Sequence, residues 1–437
     1  MARVDKYTQE IESDKEVRRL RIWQKIIIAL IVIVMVAGGA VFGYLYTKMD
    51  QIKKVELDEA ALSCVDMDGW VNILLLGVDS RDMDHVEGAR TDCIIVCSIK
   101  EETSEVYLTS IYRDTFVKMG KDELYDKITH AFSYGGAEQT IRTVNQALDL
   151  NIQNYVLFNF KAVADVVDGL DGITVDVEDY EIEQLNFYTI ETAENIGRSD
   201  YQLVEAPGTQ RLDGCQAVSY GRIRKGVGDD FKRTERMRTV ISLLIQEAKN
   251  ASWSKLDNLI DVVLPQVETS LSNTDILLLA KDMGSYTIKG SVGFPYSITT
   301  GYINGVSYVL PTDLASDVKR LHEEVFGQKD YEPTALCYTI SDQILYYVST
   351  ASAEAPDDAE EDEEELKPVE PQPAVTPDPA EGEGGEEGSG TGEGSGTDPG
   401  TGGSTDPGTG GGSTDPGAGG GSTDPGTGTG GGSPATP

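Results

Sequence analysis

The longest uncharged stretch of the chain lies near its start. Residues 26–47 read IIIALIVIVMVAGGAVFGYLYT, 22 residues without a charge. At about 1.5 Å per residue, a helix of that length crosses a hydrocarbon core of about 30 Å, so the pattern predicts a transmembrane helix. Because the basic residues cluster before it, the positive-inside tendency places residues 1–25 in the cytoplasm and the remaining chain outside the membrane. A cleaved signal peptide, cut at the small residues 37–40, is the alternative.

Short aliphatic runs beyond residue 70 have the length and composition of buried strands. The first, VNILLLGV at 71–78, predicts a central strand. The runs at 93–99 and 106–112 are separated by a turn-like acidic stretch, which favours an adjacent antiparallel pair. Two more strands are predicted at 155–160 and 173–177.

Segments of helical period alternate with these strands, at 137–148, 161–167, 233–249 and 313–326, the last closed by Gly327. This alternation predicts an α/β fold with a central mixed β-sheet flanked by helices on both faces. In the third helix, apolar residues recur at spacings of three and four and define a core face. Arg233 falls on that face, so its charge needs a partner.

The chain is expected to form a single extracytoplasmic domain behind the membrane helix. Residues 48–70 are interpreted as a stalk, 71–327 as the domain and 328–350 as its terminal segment. Residues 351–437 contain no aromatic residue and consist of an acidic part followed by a Gly-, Pro-, Thr- and Ser-rich part, which predicts a disordered tail. A wall-threading spacer, or cation binding by the acids at 357–365, is the alternative.

The net charge of -38 is shared between the tail and the rest of the chain, since the tail holds 20 Asp and Glu and one basic residue, Lys367. Such an acidic balance argues against nucleic-acid binding, which needs a basic surface. The five cysteines show no metal-type spacing and are interpreted as inert thiols, with a disulfide as the alternative. The three histidines are scattered, which favours structural roles over zinc binding.

Two aspartates follow and precede neighbouring predicted strands. Asp79 ends the first strand in GVDSRD, and Asp92 opens the next in ARTD. If the strands pair, the two carboxylates face one another and need a cation or proton between them, and Mg²⁺ suits such an oxygen site. Salt bridges with Arg81 and Arg90 explain the same pattern.

Basic residues concentrate in two places in this acidic chain. SIYRDT ends a strand with Arg113 beside Asp114, which taken alone favours a surface ion pair. GRIRKGVGDDFKRTERMR, at 221–238, opens the amphipathic helix and predicts an anion site, because Arg forks and a helix N-terminus both favour phosphate. A basic stripe neutralised by Asp229 and Asp230 is the alternative.

Taken together, these motifs resemble the LytR-CpsA-Psr family of Gram-positive cell-envelope proteins. The resemblance rests on GVDSR, the following RTD, SIYRDT, ITHAFSYGG, YVLFNFKAVADVVDGLDGITVDV and GRIRKGVGDDFKRTER, in that order, between residues 71 and 249. It implies a phosphotransferase that moves an anionic glycopolymer, a teichoic acid or capsular polysaccharide, from a polyprenyl-pyrophosphate carrier to a peptidoglycan hydroxyl. It also implies an apolar groove for the polyprenyl chain between sheet and helices.

The resemblance assigns roles to particular residues. Asp79 and Asp92 are expected to hold Mg²⁺ and to act in catalysis with Arg113 and Arg222. The residues expected to bind the pyrophosphate are Arg81, Arg90, Arg113, Arg222, Arg224, Arg233 and Arg236. Two positions depart from the family pattern: Met237 stands where Gln is usual, and Tyr112 where Pro is frequent.

Two other functions fit the same residues. One is a non-catalytic, membrane-anchored protein that binds wall polymer or acts as a regulator resembling a transcriptional attenuator. The other is a polyprenyl-pyrophosphate hydrolase, which differs only in using water as the acceptor. The retained acidic pair favours catalysis over binding, because binding of a polyanion is weakened by carboxylates among the arginines.

Overall fold

The computed structural model describes residues 43–78, 80, 83, 86, 88–120, 123–224 and 229–353, and for residues 229 and 230 the backbone alone. Most of the predicted transmembrane helix, the tail beyond residue 353, Asp79 and Arg81 lie outside these residues. Residues 43–49 are helical. Within the described ranges no helix combines the length and the apolar character needed to cross a bilayer.

A mixed sheet of seven strands forms the centre of the domain, in the order β1-β10-β7-β2-β3-β4-β11. Strand β2 is central, and it pairs antiparallel with β3 and parallel with β7. Strands β3 and β4 form the antiparallel pair that the sequence predicts. The strands of this sheet are β1 (Lys53–Lys54), β2 (Trp70–Val78), β3 (Thr91–Lys100), β4 (Glu105–Ile111), β7 (Asn154–Asn159), β10 (Val267–Thr269) and β11 (Thr287–Phe294).

Three two-stranded sheets accompany the central one. The predicted strand at 173–177 belongs to one of them and not to the central sheet, since it pairs with a strand that the sequence did not reveal. The pairs are β5 (Phe116–Lys118) with β6 (Tyr125–Lys127), β8 (Ile173–Val177) with β9 (Gly208–Leu212), and β12 (Ile298–Ile303) with β13 (Val306–Pro311).

Helices cover both faces of the central sheet, as predicted. The first begins at Ala131 rather than at residue 137 and is kinked at Gly135 and Gly136, of which Gly136 has φ 64°. The helices are α1 (Ala131–Leu148), α2 (Phe160–Gly169), α3 (Ile182–Ile196), α4 (Gly214–Tyr220), α5 (Asp229–Asn250), α6 (Trp253–Val263), α7 (Asn273–Lys281), α8 (Leu314–Glu324) and α9 (Ala335–Thr350).

One face of the sheet carries a fully packed core. Leu74 and Leu76 of β2 are completely buried there, together with apolar residues of α1, α8 and α9. Helix α9 lies in the predicted domain-terminal segment, yet its Ile340 and Ile344 belong to this core. Leu62 and Met67, in the predicted stalk, are buried in it as well. The packed unit therefore includes residues on both sides of the predicted domain bounds.

The opposite face of the sheet is covered less completely. Val71 and Leu75 of β2 and Cys93 and Cys97 of β3 point to this side and stay part-exposed. Helices α6 and α7 contribute no fully buried residue to it. Ile95 and Leu108 are buried in this layer, but its margin of part-exposed apolar side chains is packed less completely than the core on the other face.

Candidate active site

The site is built around a β-bulge. Across the β2–β3 ladder Gly77 pairs with Cys93 and Val78 with Thr91, so Asp92 is the extra residue. A bulge re-aims the side chain of its extra residue and is frequent beside active sites. Glycine at position 77 permits the close approach, since a Cβ there would lie 2.8 Å from the Cβ of Cys93.

Two arginines converge on Asp92. The Nη1 group of Arg113, just after β4, donates to Oδ1 of Asp92 at 3.0 Å. The Nη2 group of Arg233, on α5, donates to the backbone oxygen of Asp92 at 3.1 Å and lies 3.8 Å from Oδ2. Burial would raise the pKa of Asp92, but the charges of Arg233 and Arg113 outweigh it and hold the pKa below its usual value. Asp92 is therefore ionised at neutral pH.

The prediction that Arg233 lies inward and needs a partner is confirmed, since it is buried and contacts Asp92. The surface ion-pair interpretation of Arg113 and Asp114 is wrong. Arg113 Nε does contact Asp114 Oδ2 at 3.2 Å, but both side chains are largely buried. Lys127 Nζ stands 3.4 Å from the other carboxylate oxygen. The charges thus alternate in sign from Arg233 through Asp92, Arg113 and Asp114 to Lys127.

Lys127, at the end of this series of charges, was not among the residues predicted for the site. It is almost fully buried, and its neighbour Asp126 accepts hydrogen bonds from Tyr134 at 2.6 Å and from the Lys127 backbone at 2.7 Å. His130 Nδ1 lies 2.9 Å from the same carboxylate. The available signal was the charged pair Asp126 and Lys127 directly before the ITHAFSYGG motif. This buried network holds Lys127 against the Asp114 carboxylate.

Among the described arginines of the predicted set, Arg224 and Arg90 are exposed. Arg224 is close enough for its charge to lower the pKa of Asp92 further. Its backbone N–H donates to Gln184 Oε1 at 2.9 Å, which fixes the segment before α5 against α3. Arg224 therefore adds an accessible positive charge at the mouth of the site.

Arg222 contacts α3. Its Nη2 donates to Glu191 Oε1 at 2.7 Å and its Nη1 to Thr192 Oγ1 at 3.0 Å. The guanidinium lies between the rings of Phe160 and Tyr188, 5.1 and 4.9 Å from their centroids. This geometry fixes Arg222 in place and gives it a carboxylate partner that a phosphate would have to replace.

Arg236 forms an ion pair with the turn directly before α3. Its Nε and Nη2 both lie 2.7 Å from Glu181 Oε1, and the two side chains are 5% and 4% exposed. Its Nη1 donates to the backbone oxygen of Ile223 at 3.1 Å, which ties α5 to the segment carrying Arg222. The alternative, in which Asp229 and Asp230 neutralise the basic residues, depends on two side chains that the structure does not describe. Glu191 lies on a helix that the sequence did not predict, and Glu181 lies in the turn directly before that helix.

Arg238 is a third buried arginine of α5, 9% exposed. Its Nε donates to Ser291 Oγ at 2.9 Å, and its Nη1 donates to Ser110 Oγ. Within the described part of the chain it forms no ion pair with a carboxylate, and burial lowers its pKa. Its hydroxyl partners on β4 and β11 were not predicted from the sequence.

The residues that depart from the family pattern border this site. The Tyr112 ring packs edge-to-face on Phe231 of α5, with centroids 4.5 Å apart, so the tyrosine fills the space beside the helix N-terminus. Met237 is part-buried between Arg236 and Arg238. It offers a thioether in place of a donor amide.

The cysteines and the described histidines have structural surroundings. All five thiols are free, and burial raises the pKa of Cys93 and of Cys97 to about 12. His130 contacts Asp126, and His322 lies 3.0 Å from the backbone oxygen of Leu148. Among the described residues no group of three or more His, Cys, Asp or Glu side chains is placed to hold a metal ion.

Asp92 by itself has the properties of a magnesium ligand. Its carboxylate is ionised and 24% exposed, and Oδ2 lies 3.8 Å from Nη2 of Arg233, outside hydrogen-bond distance. Mg²⁺ typically takes one or two protein carboxylates and completes its shell with waters and substrate phosphates. Asp79, the other predicted ligand, and Arg81 lie outside the described residues.

The chain is similar to several known proteins. The LytR_cpsA_psr family model matches residues 40–323. Polyisoprenyl-teichoic acid--peptidoglycan teichoic acid transferase TagT of Bacillus subtilis (strain 168) is 30% identical over 276 residues, which cover 60% of this chain and 82% of the relative. The corresponding enzyme TagU of Bacillus licheniformis is 31% identical over 315 residues, covering 70% and 90%.

Solved structures with a similar backbone include "TagT bound to LI-WTA", with a TM-score of 0.49 and 27% identity. The similar part covers 62% of this chain and 99% of that one. The match of the family model to well over half of the chain confirms the resemblance that the ordered motifs predicted. The chain belongs to the LytR_cpsA_psr family.

Proposed function

We propose that this protein is a phosphotransferase that moves an anionic glycopolymer from a polyprenyl-pyrophosphate carrier to a peptidoglycan hydroxyl. The observation that carries the proposal is the ionised Asp92 held between Arg113 and Arg233. Phosphoryl transfer depends on charge neutralisation and in-line positioning more than on covalent help from the protein. A fixed carboxylate among arginines supplies both.

The position of this site supports a lipid-linked donor. Asp92 is followed on β3 by Cys93 and Cys97, and Arg233 on α5 by Ile241, all in the part-exposed apolar layer. Two elements therefore run from the charged site directly into an apolar surface. A polyprenyl pyrophosphate has the same arrangement, a dianionic head joined to an apolar chain. We place the head at Asp92 and the chain along β3 and α5.

The reaction forms one bond and breaks one. The acceptor hydroxyl oxygen attacks the phosphorus that carries the glycopolymer, and the bond from this phosphorus to the bridging oxygen breaks. Polyprenyl phosphate leaves with that electron pair, and the hydroxyl proton goes to a base. Arg113, Arg224 and Arg233 stabilise the negative charge that grows on the leaving phosphate.

Asp92 is better suited to hold charge than to take this proton. Its pKa lies below the usual value, and a general base works best with a pKa near the operating pH. We therefore assign Asp92 to orienting Arg113 and to magnesium, with Asp79 as the second ligand. Mg²⁺ bound there would neutralise phosphate charge. The proton then goes to a group other than these two metal ligands, either of the protein or of the substrate.

The names of the relatives support the same reaction class, since TagT and TagU are named as transferases of teichoic acid to peptidoglycan. We propose an anionic glycopolymer of this kind as the donor and peptidoglycan as the acceptor. A domain outside the membrane, anchored through the predicted helix 26–47, would meet both of these substrates.

The test is an incubation of the full-length protein in lipid nanodiscs with a short-chain polyprenyl-pyrophosphate oligosaccharide, Mg²⁺ and peptidoglycan oligomers. Mass spectrometry of the products distinguishes the functions. We expect a phosphodiester between oligosaccharide and peptidoglycan, dependent on Mg²⁺. The free phosphorylated oligosaccharide as sole product would establish a hydrolase. Binding of the donor without any product would establish a binding protein.

A further inference from the structure

The 43–49 helical segment, the chain that directly follows most of the predicted transmembrane helix, packs against α6. The Tyr44 hydroxyl donates to Asp257 Oδ1 at 3.0 Å. One turn later, Lys48 forms an ion pair with Asp261. Both contacts join residues 213 positions apart in sequence. Because the sequence separation is the same at two successive turns, the two helical segments run parallel and keep the same register.

This register extends toward the membrane. One turn before Asp257, on the same side of α6, stands Trp253, because residues four apart share a helix face. The apolar run that predicts the membrane helix, residues 26–47, ends just before Lys48, so the N-terminal end of the 43–49 segment is the end directed toward the bilayer. The start of α6 is therefore the part of the domain that this register brings nearest to the bilayer.

The start of α6 has the surface chemistry of a membrane interface. Trp253 is 56% exposed, although its large apolar ring favours burial, and Tyr44 and Tyr46 of the 43–49 segment are exposed as well. Residues 251–254, Ala-Ser-Trp-Ser, carry no charge, and Lys255 is paired with Asp171. Tryptophan and tyrosine concentrate where hydrocarbon meets headgroups, since the ring is apolar and its N–H or O–H is polar.

We infer that the first turn of α6, with Trp253 at its tip, inserts into the outer leaflet of the bilayer. The occupant of this surface is the lipid interface itself, because the parallel register with the 43–49 segment directs it there. The inference rests on the predicted transmembrane helix and not on the proposed reaction.

The docking has a consequence for the domain. Leu259 of α6 packs so closely on Gly169 that a Cβ at residue 169 would lie 2.4 Å from Leu259 Cδ2. Leu259 thus packs α6 against the domain, while the first turn of the helix faces the membrane. The contacts of Tyr44 with Asp257 and of Lys48 with Asp261 then fix the orientation of the domain on the membrane.

The test uses the full chain in nanodiscs and tryptophan fluorescence. The chain has three tryptophans, Trp23, Trp70 and Trp253, so the difference between the wild type and Trp253→Phe isolates the emission of Trp253. Because Trp253 is exposed, the substitution leaves the fold intact. Phospholipids brominated high on the acyl chain quench indoles that reach the interface. We expect at least half of the Trp253 emission to be lost in such lipids.

The matched control is Trp253→Phe combined with Tyr338→Trp, which places an indole at an exposed position of α9. We expect its quenching to be several-fold weaker. Equal quenching of the two positions, or none of Trp253, overturns the inference. A second measurement tests the register: Lys48→Asp should reduce quenching of Trp253, and Lys48→Asp with Asp261→Lys should restore it. If the quenching of Trp253 is the same in the wild type and in both of these variants, the 43–49 segment does not orient α6.

Discussion

Arg113 donates a hydrogen bond to the carboxylate of Asp92 at 3.0 Å, although 21 residues separate them in sequence. The antiparallel pairing of β3 and β4 brings the two together at one end of the sheet. The β-bulge then turns Asp92 away from the ladder, toward Arg113 and Arg233. The electrostatic centre of the site therefore follows from strand register.

Replacing Asp92 by Asn should destabilise the protein in a pH-dependent way. The carboxylate has a lowered pKa in the folded state, so its stabilising contribution is complete above the usual value near 3.8 and is lost as the pH falls through the folded pKa. We expect the variant to lose about 1–3 kcal/mol of unfolding free energy at pH 7. Urea unfolding at several pH values should show this difference shrink below about pH 4. A difference independent of pH would contradict the ionised state of Asp92.

Glu191 competes with phosphate for Arg222, so Glu191→Gln should strengthen donor binding. The pair is partly exposed, with Glu191 at 40%, and such pairs are worth at most about 1 kcal/mol. We expect the affinity for a polyprenyl pyrophosphate to rise about two- to fivefold, measured by calorimetry, with little change in stability.

Glu194→Gln is the matched control, since Glu194 is an exposed glutamate on the same helix and its loss changes the net charge equally. It should leave the affinity unchanged. An equal gain in affinity in both variants would show that the effect comes from net charge alone. No gain in affinity in Glu191→Gln would show that Arg222 does not bind the donor.

The sequence predicted the inward position of Arg233 because the apolar spacing of α5 is regular. It did not predict α3, whose buried positions include Thr189 and Thr192 while Phe187 on its outer side is exposed. This distribution weakens the helical period of hydrophobicity. Glu191, the partner of Arg222, was missed for the same reason. Glu181, the partner of Arg236, lies in a short turn before α3, which has too few residues to show a period.

The central sheet, too, could be predicted only in part from the sequence. The aliphatic run of β2 identified it as the central strand, since a strand buried on both faces is apolar throughout. The bulge at Asp92 depends on how β2 and β3 pair, and no local pattern in either strand encodes that register. Short strands such as β10 carry too few residues to show a period at all.

Filling the apolar layer should separate lipid binding from phosphate binding. Cys97 is part-exposed on the side of β3 that faces this layer, so Cys97→Trp occupies space proposed for the polyprenyl chain. We expect affinity for a long-chain polyprenyl pyrophosphate to fall at least tenfold, about 1.4 kcal/mol. Affinity for inorganic pyrophosphate should stay the same, and Cys97→Ala should bind both normally. Unchanged lipid binding in Cys97→Trp would place the chain elsewhere.

Arg238→Met should make the protein more stable. The guanidinium is buried with two serine hydroxyls as partners, and a buried cation without a carboxylate costs desolvation free energy. Methionine has a similar length and no charge, so we expect a gain of about 1 kcal/mol in unfolding free energy. Arg238→Lys keeps the charge and should show no gain. A loss of stability in Arg238→Met would mean that the serine contacts outweigh the desolvation.

The central claim is that glycopolymer transfer takes place at Asp92, Arg113 and Arg233. Its most direct test is the single-turnover rate of phosphodiester formation by Asp92→Asn and Arg233→Gln in nanodiscs, with Asp176→Asn, an exposed aspartate of β8, as the control. We predict a loss of at least about 10²-fold for the first two variants and a wild-type rate for the third. Wild-type rates for Asp92→Asn and Arg233→Gln in folded protein would contradict the account.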